Sequence, residues 1–466
     1  MFCNMDAMEQ YLYLPVETKN RELDAKLLLA CSASEAGFSV VLGYKKRLLK
    51  VLDELPPGIF LDKSMPLDKM QKFLHLKKLG HTLVAHDEEG LAPFSLDEYQ
   101  RRRQYGNELL EHCEYMLAWG ARQGNFIRQK APLHAQKVIE TGHPRIDLTR
   151  RGLRDFYKND VEQLTRQYGR FILFNTNFSF GNHFFGEGGF VDFLDRSGKI
   201  RDEQHRKFYT GLQKHQERMF DEFVSGIMTL HEHFPDMTIL VRPHPSENHT
   251  HWQSALPQDE KIIVKHEGNV LPWLMAADVV VHNSCTTGVE AYLLERPVIA
   301  YLPVRDEAFE GELSNRLSDW ALTSDELRHH IGRYVSNGDS VRPNAERQAL
   351  AAQHIAALDG DLAADRIVRL LQTIPLSRRS LTETVYQQLQ GLKRFRRKFS
   401  LRTLLGHNTH KTQDDMAERH KQQKFPGADL NELQESLHTF QTLLQRFADI
   451  EILQIDDKLF RLQAGR

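Results

Sequence analysis

The sequence predicts an α/β protein of two Rossmann-like domains with a cleft between them, followed by a helical C-terminal tail. Short apolar runs alternate with longer segments of helical spacing through both halves of the chain. Several of these runs end in polar residues, as the strands of a parallel sheet do at their carboxyl ends. The length of 466 residues suits two domains with additions.

Composition excludes several classes of protein. The formal net charge of −2 gives no general preference for nucleic acid or for membranes, and 41% hydrophobic residues suffice for buried cores. The four cysteines have no metal-site spacing and indicate reduced thiols. The chain opens without a basic segment and apolar run, and no apolar stretch is long enough to span a bilayer. We therefore expect a cytoplasmic protein.

The first domain, predicted over residues 1–145, alternates strands and helices. Each predicted strand is a short apolar run, and each predicted helix has apolar residues three or four positions apart. The alternation is typical of a parallel, doubly wound sheet. The predicted strands are 10–16, 38–42, 59–61, 81–85 and 115–120, and the predicted helices are 23–37, 45–55 and 67–80.

A charged helical segment over 146–168 is predicted to connect this domain to a second one over 169–375. The second domain repeats the alternation and ends in a mostly helical segment. Its composition changes at the tail, predicted over 376–466. The predicted strands of the second domain are 170–174, 239–241, 262–264, 279–281 and 297–301, and its long helix is 201–234.

The stretch 279–294 is typical of an anion-binding site. An apolar strand ends in a polar turn, and helical spacing continues from about Thr287. Backbone N–H groups in the first turn of a helix have no partner inside the helix and attract anions. An ordinary N-cap is the alternative for any one hydroxyl residue. Four polar residues within five positions favour phosphate binding, and they are Asn283, Ser284, Thr286 and Thr287.

Two other strand ends in the predicted second domain carry polar residues. Arg242, His244 and Pro245 follow one strand, and the prolines on either side of His244 hold the chain extended. Asn175 and Asn177 follow another. A histidine after a strand is more often structural than functional, but beside the hydroxyl turn it indicates a clamp for a nucleotide.

Three adjacent carboxylates end a strand of the first domain: Asp87, Glu88 and Glu89, followed by Gly90. Carboxylates that face one cleft repel one another, which raises the pKa of at least one, as a general base requires. The alternative is a solvated acidic turn, which is the commoner fate of such a run. The residues alone leave both alternatives open.

The tail contains a basic amphipathic segment over 391–405. Leu392, Phe395 and Phe399 share one helical face among lysines and arginines, which suits an anionic membrane surface. The alternative is a basic helix packed on the protein. A further helix with heptad-like spacing is predicted over 429–447, where it would serve docking or oligomerisation.

Taken in order, the motifs at 86–90, 242–245 and 283–287 resemble those of bacterial CMP-sugar glycosyltransferases of the GT-B fold. Sialyltransferases and Kdo transferases of that group carry an acidic motif, a His-Pro motif and a Ser-Ser/Thr motif. The chain looks most like the surface carbohydrate biosynthesis proteins of bacterial polysaccharide loci. The resemblance covers roughly residues 10–375 and includes Pro15, Glu22 and the GHPR junction at 142–145.

The resemblance implies a role for each matching residue. Glu88 or Glu89 would be the catalytic carboxylate, with Asp87 as a further candidate. Cys285 stands where the family's second hydroxyl would be, so the phosphate ligand among its neighbours stays open. The resemblance implies no cofactor and no metal. Donor binding would involve Arg242, His244, Pro245, Asn283, Ser284, Thr286, Thr287, Asn175 and Asn177, and acceptor binding would involve Glu17, Arg21 and Lys63.

The implied function is transfer of an ulosonic acid, either Kdo or a sialic-type nonulosonate, from a CMP-activated donor to a glycan or glycolipid acceptor. Lipopolysaccharide or capsule would be the product, and either an inverting or a retaining course is open. Two alternatives remain: a CDP-activated polyol-phosphate transferase and a non-catalytic scaffold of a polysaccharide assembly complex. We expect no nucleic-acid partner, and peripheral contact with the inner face of the cytoplasmic membrane through 391–405.

Overall fold

The computed structural model describes residues 9–184, 189–336, 344–375, 382, 385–386 and 425–465. These residues divide into two α/β units. The first unit comprises the chain up to residue 91, residues 99–156 and the chain from residue 352 onward. The second unit comprises residues 92–98 and 157–351.

The first unit begins with strands and helices that alternate up to β4, after which two helices precede β5. Short segments of 3-10 helix occur at Leu67–Lys69, Pro132–Lys137 and Arg154–Tyr157. Its first elements are β1 (Gln10–Val16), α1 (Lys19–Glu35), β2 (Phe38–Tyr44), α2 (Lys45–Val51), β3 (Gly58–Asp62), α3 (Met70–Lys78), β4 (Thr82–His86), α4 (Leu96–Arg103), α5 (Asn107–Glu111), β5 (Tyr115–Ala118), α6 (Ala121–Lys130), β6 (Val138–Glu140) and α7 (Pro144–Asp147).

The sheet of the first unit places β1 among parallel strands in the order β2-β1-β3-β4-β5-β6. Leu12, Tyr13 and Leu14 of β1 are fully buried, because helices cover both faces of a parallel sheet. The connections reverse direction between β1 and β3. In open α/β sheets, ligands bind outside the carboxyl ends of the strands at such a switch point.

The second unit starts at helix α8 and includes the long helix α10. Its elements are α8 (Lys158–Tyr168), β7 (Phe171–Asn175), α9 (Gly189–Arg196), α10 (Glu203–His233), β8 (Thr238–Arg242), α11 (His249–Ala255), β9 (Ile262–Val264), α12 (Val270–Ala276), β10 (Val279–His282), α13 (Thr286–Leu293), β11 (Val298–Tyr301), α14 (Glu312–Arg316), β12 (Asp319–Ala321), α15 (Ser324–Val335) and α16 (Ala345–His354), the last of which continues into the first unit.

The sheet of the second unit has the order β9-β8-β7-β10-β11-β12. Counted from β7, this is the 3-2-1-4-5-6 order of a Rossmann sheet, and its switch point lies between β7 and β10. Phe223, Ile227 and Leu230 of α10 are fully buried against the sheet. Their spacing of four and three residues forms one apolar stripe on that helix. The two parallel sheets confirm the predicted fold class.

The first unit is completed by a late part of the chain. Helix α17 (Ala363–Gln372) receives its first-turn support from Asp147, whose carboxylate accepts the amides of Ala363 at 2.9 Å and Ala364 at 3.0 Å. The side chain of Gln10 also donates to the carbonyl of Ile374 at 3.3 Å. Residues 352–375 therefore belong to the first unit, whereas the sequence predicts that they lie in a second domain ending at residue 375.

The C-terminal region contains a helix and a hairpin. Helix α18 (Leu430–Leu444) matches the helix predicted over 429–447. Strands β13 (Ile450–Asp456) and β14 (Leu459–Ala464) then form an antiparallel hairpin, and β14 pairs antiparallel with β2. A tail predicted as helical over 376–466 thus ends in extended chain.

The hairpin forms because β2 would otherwise be an edge strand with unpaired backbone groups. Ile450 and Ile452 alternate with exposed residues and turn their side chains inward. Gly43 permits the close approach, since a Cβ atom there would lie 2.1 Å from the carbonyl oxygen of Lys458. The basic segment 391–405 lies outside the described residues. Among the helices that are described, none is long and apolar enough to cross a membrane.

Candidate functional site

Two polar turns meet at the switch point of the second unit. The amide of Asn177, after β7, donates to Oδ1 of Asn283, after β10, at 2.8 Å. Nδ2 of Asn283 donates back to the carbonyl of Asn177 at 3.1 Å. Nδ2 of Asn175 donates to Oγ1 of Thr287 at 2.8 Å. The structure therefore brings together four residues that the sequence placed in one site, and fixes them through direct hydrogen bonds.

Helix α13 begins at this point with its first turn uncapped by side chains. Cys285 occupies the N-cap position, and within the described part of the chain no side chain makes a cap hydrogen bond there. Ser284 adopts a φ of 60°, and its Oγ accepts a hydrogen bond from Nδ2 of Asn315 at 2.9 Å. Thr286, the first residue of α13, is half-buried. An uncapped helix N-terminus beside hydroxyl groups suits an anion.

The imidazole of His244 has a fixed tautomer. Its Nδ1 accepts the backbone amide of Ser246 at 3.2 Å, so a neutral ring carries its proton on Nε2. The hydroxyls of Ser246 and Ser179 lie 2.6 Å and 3.1 Å from the same nitrogen. Because Ser179 follows β7 and His244 follows β8, the turn after β8 lies at the same edge of the sheet as the turn after β7.

Glu247 holds the His244 turn in shape. Its buried carboxylate accepts the amide of His244 at 2.8 Å, the hydroxyl of Thr176 at 2.9 Å and the indole N–H of Trp252 at 2.8 Å. Burial raises the pKa of Glu247. Pro245, half-buried, continues the turn. Sequence reasoning missed Glu247, because a single glutamate after a proline-rich turn carries no distinguishing pattern.

Arg242 is committed in part to the protein. The guanidinium donates to the backbone carbonyls of Gly268 at 2.9 Å and Glu267 at 3.3 Å. Burial lowers the pKa of Arg242 to about 10. Its Nε has no hydrogen-bond partner among the residues that the structure describes. The backbone contacts indicate that Arg242 shapes the loop after β9.

In the first unit, Asp87 has every oxygen occupied. Arg103 forms a two-pronged ion pair with it, at 2.5 Å to Oδ2 and 2.7 Å to Oδ1. The hydroxyls of Tyr99 and Tyr105 each donate to Oδ2 at 2.9 Å. Burial opposes the charge on Asp87, but Arg103 outweighs it and holds the pKa below its usual value. This arrangement favours a structural role for Asp87, one of the three candidate carboxylates.

The carboxylate of Glu88 is buried beside two basic side chains. Its Oε1 lies 3.4 Å from Nζ of Lys26, and its Oε2 lies 3.1 Å from Nε2 of His143. Burial raises the pKa of Glu88, but His143 and Lys26 outweigh burial and hold the pKa well below the usual range. A cavity of about 20 Å³ borders Glu88, Lys63 and Arg145. It has room for about one water molecule.

Glu89 is the exposed member of the three carboxylates. Its side chain is 45% exposed, with Arg21 at 3.8 Å. Arg21 lowers the pKa of Glu89 to about 2, although burial opposes this. Gly90 closes the turn in direct contact with Gln123, because a Cβ atom at Gly90 would lie 1.9 Å from its Nε2. The three carboxylates follow β4, which ends at His86, and they occupy three different environments.

The predicted acceptor residues lie on a charged network beside Glu88. Nζ of Lys63 lies 3.3 Å from both Glu17 and Glu22. Glu22 also accepts from Lys26 at 2.8 Å. Lys63 directly follows β3 and Glu17 directly follows β1, so both stand at the switch point of the first sheet. The structure therefore links Glu17, Lys63 and Glu88 through Glu22 and Lys26.

Several residues of this site escaped the sequence analysis. Lys26 has the spacing of an ordinary helical lysine, and Arg103 ends a run of three arginines that carries no distinguishing pattern. His143 offered a signal, since it stands between Gly142 and a proline at the junction of two predicted domains. That position was interpreted only as a boundary. No local pattern pairs His143 with Glu88, which lies in the turn after β4.

Comparisons with known proteins support the fold. No family model matches the chain, and no curated protein sequence matches it. Among solved structures, the UDP-GlcNAc 2-epimerase of Methanocaldococcus jannaschii, in complex with UDP-GlcNAc and UDP, is 15% identical, with a TM-score of 0.50 over 78% of this chain and 99% of that chain. The likeness confirms a GT-B-like fold and extends no further.

Two other structures are similar at a lower level. The UDP-GlcNAc 2-epimerase of Neisseria meningitidis, bound to UDP-GlcNAc, is 13% identical with a TM-score of 0.48, covering 78% of this chain and 100% of that one. The wall teichoic acid polymerase TagF is 11% identical with a TM-score of 0.43, covering 78% of this chain and 88% of that one. These two likenesses are too weak to support a conclusion. The chain has the GT-B-like fold of two Rossmann-like units.

Proposed function

We propose that this chain is a glycosyltransferase that moves an ulosonic acid from a CMP-activated donor to a glycan or glycolipid acceptor in surface polysaccharide synthesis. The observation that carries the proposal is the pair of asparagine contacts at the switch point of the second sheet. They hold the turn after β7 against the turn after β10, beside the uncapped start of α13. A nucleotide phosphate is the ligand that such an arrangement suits.

The donor would bind to the second unit. The N–H groups of the first turn of α13 and the hydroxyls of Thr286 and Thr287 would contact the phosphate. His244, with its proton on Nε2, would donate to the same group and stabilise the charge that develops on the leaving CMP. The fold supports a sugar-nucleotide ligand in general, because the epimerase that shares it binds UDP-GlcNAc and UDP. The preference for CMP rests on the motif resemblance.

Glu88 would supply the carboxylate of the reaction. Asp87 is saturated by Arg103 and two tyrosines, and Glu89 is half exposed beside Arg21. Glu88 is buried, ionised and borders a small cavity. In an inverting course, its carboxylate would accept the proton of the acceptor hydroxyl while that oxygen bonds to the anomeric carbon and CMP departs. In a retaining course, the same carboxylate would act as a nucleophile.

A ligand screen followed by a transfer assay tests the proposal. CMP and CMP-activated ulosonic acids should raise the melting temperature more than CDP, UDP or UDP-GlcNAc. Glu88→Gln should lower turnover by roughly a hundredfold or more, by the usual scale of a general base, and should leave donor binding intact. Glu89→Gln is the matched control, because its carboxylate is exposed, and it should lose much less.

The outcomes separate the alternatives. Stabilisation by UDP-GlcNAc, with conversion of its sugar in the absence of any acceptor, would replace the transferase by an epimerase. Stabilisation by CDP-polyols alone would favour the polyol-phosphate transferase. A chain that binds no nucleotide at all would favour the scaffold. Near wild-type transfer by Glu88→Gln would remove Glu88 from the reaction but would keep the donor assignment.

A further inference from the structure

We propose that His143 is a positioning residue for Glu88, holding its carboxylate through the 3.1 Å contact between Nε2 and Oε2, within the function proposed above. His143 was assigned no role by the sequence. It precedes α7, and its Nε2 lies 3.1 Å from Oε2 of Glu88. The two side chains belong to one unit and are 5% and 4% exposed. A buried carboxylate without partners would be costly, so this contact determines how Glu88 sits.

The tautomer of His143 follows from its second nitrogen. Nδ1 accepts the backbone amide of Arg145 at 3.1 Å, which makes His143 the N-cap of α7. A nitrogen that accepts an N–H cannot carry a proton, so the neutral ring has its proton on Nε2. That nitrogen lies 3.1 Å from Oε2 of Glu88. Both nitrogens are therefore occupied, and His143 acts on the reaction only through Glu88.

The ring of His143 is fixed by its neighbours. It stacks on Trp119 with the ring centres 4.2 Å apart and the planes within 11°. His86 lies on it with the ring centres 4.3 Å apart. The indole N–H of Trp119 donates to the carbonyl of Asp87 at 2.6 Å, which ties the stacking partner to the residue before Glu88. The ring cannot turn without disturbing the acidic motif.

Two features oppose protonation of His143. Burial lowers its pKa, although the carboxylate of Glu88 acts in the other direction. Protonation would also require Nδ1 to release the amide of Arg145. Lys26 contacts the other oxygen of that carboxylate, so Glu88 is held from both sides.

Two substitutions at His143 separate its two contacts. In His143→Gln, the amide of glutamine places a donor near the position of Nε2, and the N-cap hydrogen bond to the amide of Arg145 is lost. The side chain of asparagine places an acceptor near the position of Nδ1 and gives up the contact with Glu88, and asparagine is a good N-cap. We expect His143→Gln to retain more turnover and His143→Asn to retain more stability.

We expect each His143 variant to retain one property, either turnover or stability, and to lose more of the other. His143→Asn should melt closer to wild type while kcat falls roughly tenfold to a hundredfold, the scale of a misplaced reacting group, with little change in KM for the donor. His143→Gln should show the smaller loss in kcat. His81→Gln removes a buried histidine of the same unit away from Glu88, and it should lower the melting temperature without lowering kcat. Equal losses of kcat and stability in both His143 variants would overturn the proposal.

The pH profile gives a second readout. Groups around Glu88 include Lys26 and Glu22 on α1, Lys63 after β3, His86 on β4 and Arg145 on α7. His143→Phe keeps the stacking on Trp119 and removes the donor, so the pKa of Glu88 rises. The acid limb of kcat should then move to higher pH, by about one unit or more on the scale of a lost charged hydrogen bond. An unmoved limb would contradict the positioning role.

Failure of the proposed function is distinguishable from failure of this inference. If wild type transfers no sugar from any CMP donor, the function fails, and the pair is then tested by stability alone. Glu88→Gln, His143→Phe and the double variant form a thermodynamic cycle in the free energy of unfolding. Additive losses would mean that the two side chains do not interact, and the inference would fail on that ground.

Discussion

Gly288 lies so close to the ring of His282 that a Cβ atom on the glycine would meet Nε2 at 2.4 Å. The ring is fully buried and its Nε2 lies 2.8 Å from the hydroxyl of Ser318. The glycine therefore allows α13 to start directly over the end of β10. The first turn of that helix is where we place the phosphate of the donor.

Substitution of Gly288 by alanine should destabilise the protein. The methyl group has no space, so His282 or α13 must shift, at a cost of about 1–3 kcal/mol in the free energy of unfolding. Chemical denaturation measures the loss. Gly332→Ala is the control, because its Cβ would have an ordinary contact of 3.7 Å inside α15, where alanine is favoured. If Gly288→Ala left the free energy of unfolding unchanged, the first turn of α13 would be able to shift at little cost.

The stability of the chain should fall in acid partly through His282. Burial lowers the pKa of His282 to about 3, below its usual value of 6.5. The unfolded chain takes up this proton first, so the contribution of His282 is fully present above pH 6.5 and is lost as the pH falls toward 3. His282→Gln should lower the melting temperature at pH 7 but reduce the further drop between pH 6.5 and 4. Parallel curves for the two proteins would contradict the prediction.

Loss of Arg103 should be more damaging than an ordinary surface change. Its removal leaves the carboxylate of Asp87 buried and charged, which costs about 3–5 kcal/mol. Arg103→Gln should therefore unfold at markedly lower denaturant concentration. The double variant with Asp87→Asn should recover part of the loss, since it removes the charge as well. A double variant no more stable than Arg103→Gln would show that the tyrosines, rather than the charge, dominate.

His244 should contribute to the binding of CMP. His244→Ala removes the donor on Nε2, and calorimetry should show weaker binding by about tenfold, the scale of a hydrogen bond to a charged group. His233→Ala is the control, because that side chain is exposed at the end of α10 and bonds only to its own helix. Unchanged affinity in folded His244→Ala would remove this residue from the nucleotide site.

Membrane contact through 391–405 remains a prediction from sequence. Replacement of Arg394, Arg396 and Arg397 by glutamine should weaken binding to vesicles that contain anionic lipid, and the difference should shrink as salt rises. These changes leave β13 and β14 in place, which truncation after residue 374 would not. Equal binding of both proteins to the vesicles would favour a basic segment that packs on protein.

Much of the fold could be predicted because its signals are local. The strand Gln10–Val16 and the strand Ile262–Val264 have the predicted bounds, since each is a continuous apolar run between polar residues. The hairpin could not be predicted in the same way. Leu453 and Ile455 are 47% and 45% exposed, so β13 has no clean alternation of buried and exposed residues. Its partner β2 is distant in sequence.

The candidate site was predictable to the level of strand ends and no further. The polar turns at 175–177 and 283–287 follow parallel strands, so their proximity follows from the fold class. The environments of Asp87 and Glu88 depend on Arg103 and His143, which are distant from these carboxylates in sequence. The assignment of Glu88 over Asp87 therefore needs side-chain contacts, such as the ion pair of Asp87 with Arg103 at 2.7 Å.

The pairing of β14 with β2 can form only at the end of the synthesis of this protein. Arg461 donates from β14 to Ser39 of β2 at 2.8 Å, and the two residues are 422 positions apart in the chain. At the ribosome's rate of about 5–20 residues per second, this interval lasts roughly 20 to 80 s. During that time the second unit can leave the ribosome and fold, while one side of the β2 backbone remains unpaired. The nascent chain therefore has an unpaired sheet edge throughout this interval. Chaperones bind chains in this condition, and neighbouring nascent chains on one messenger RNA can aggregate through such edges.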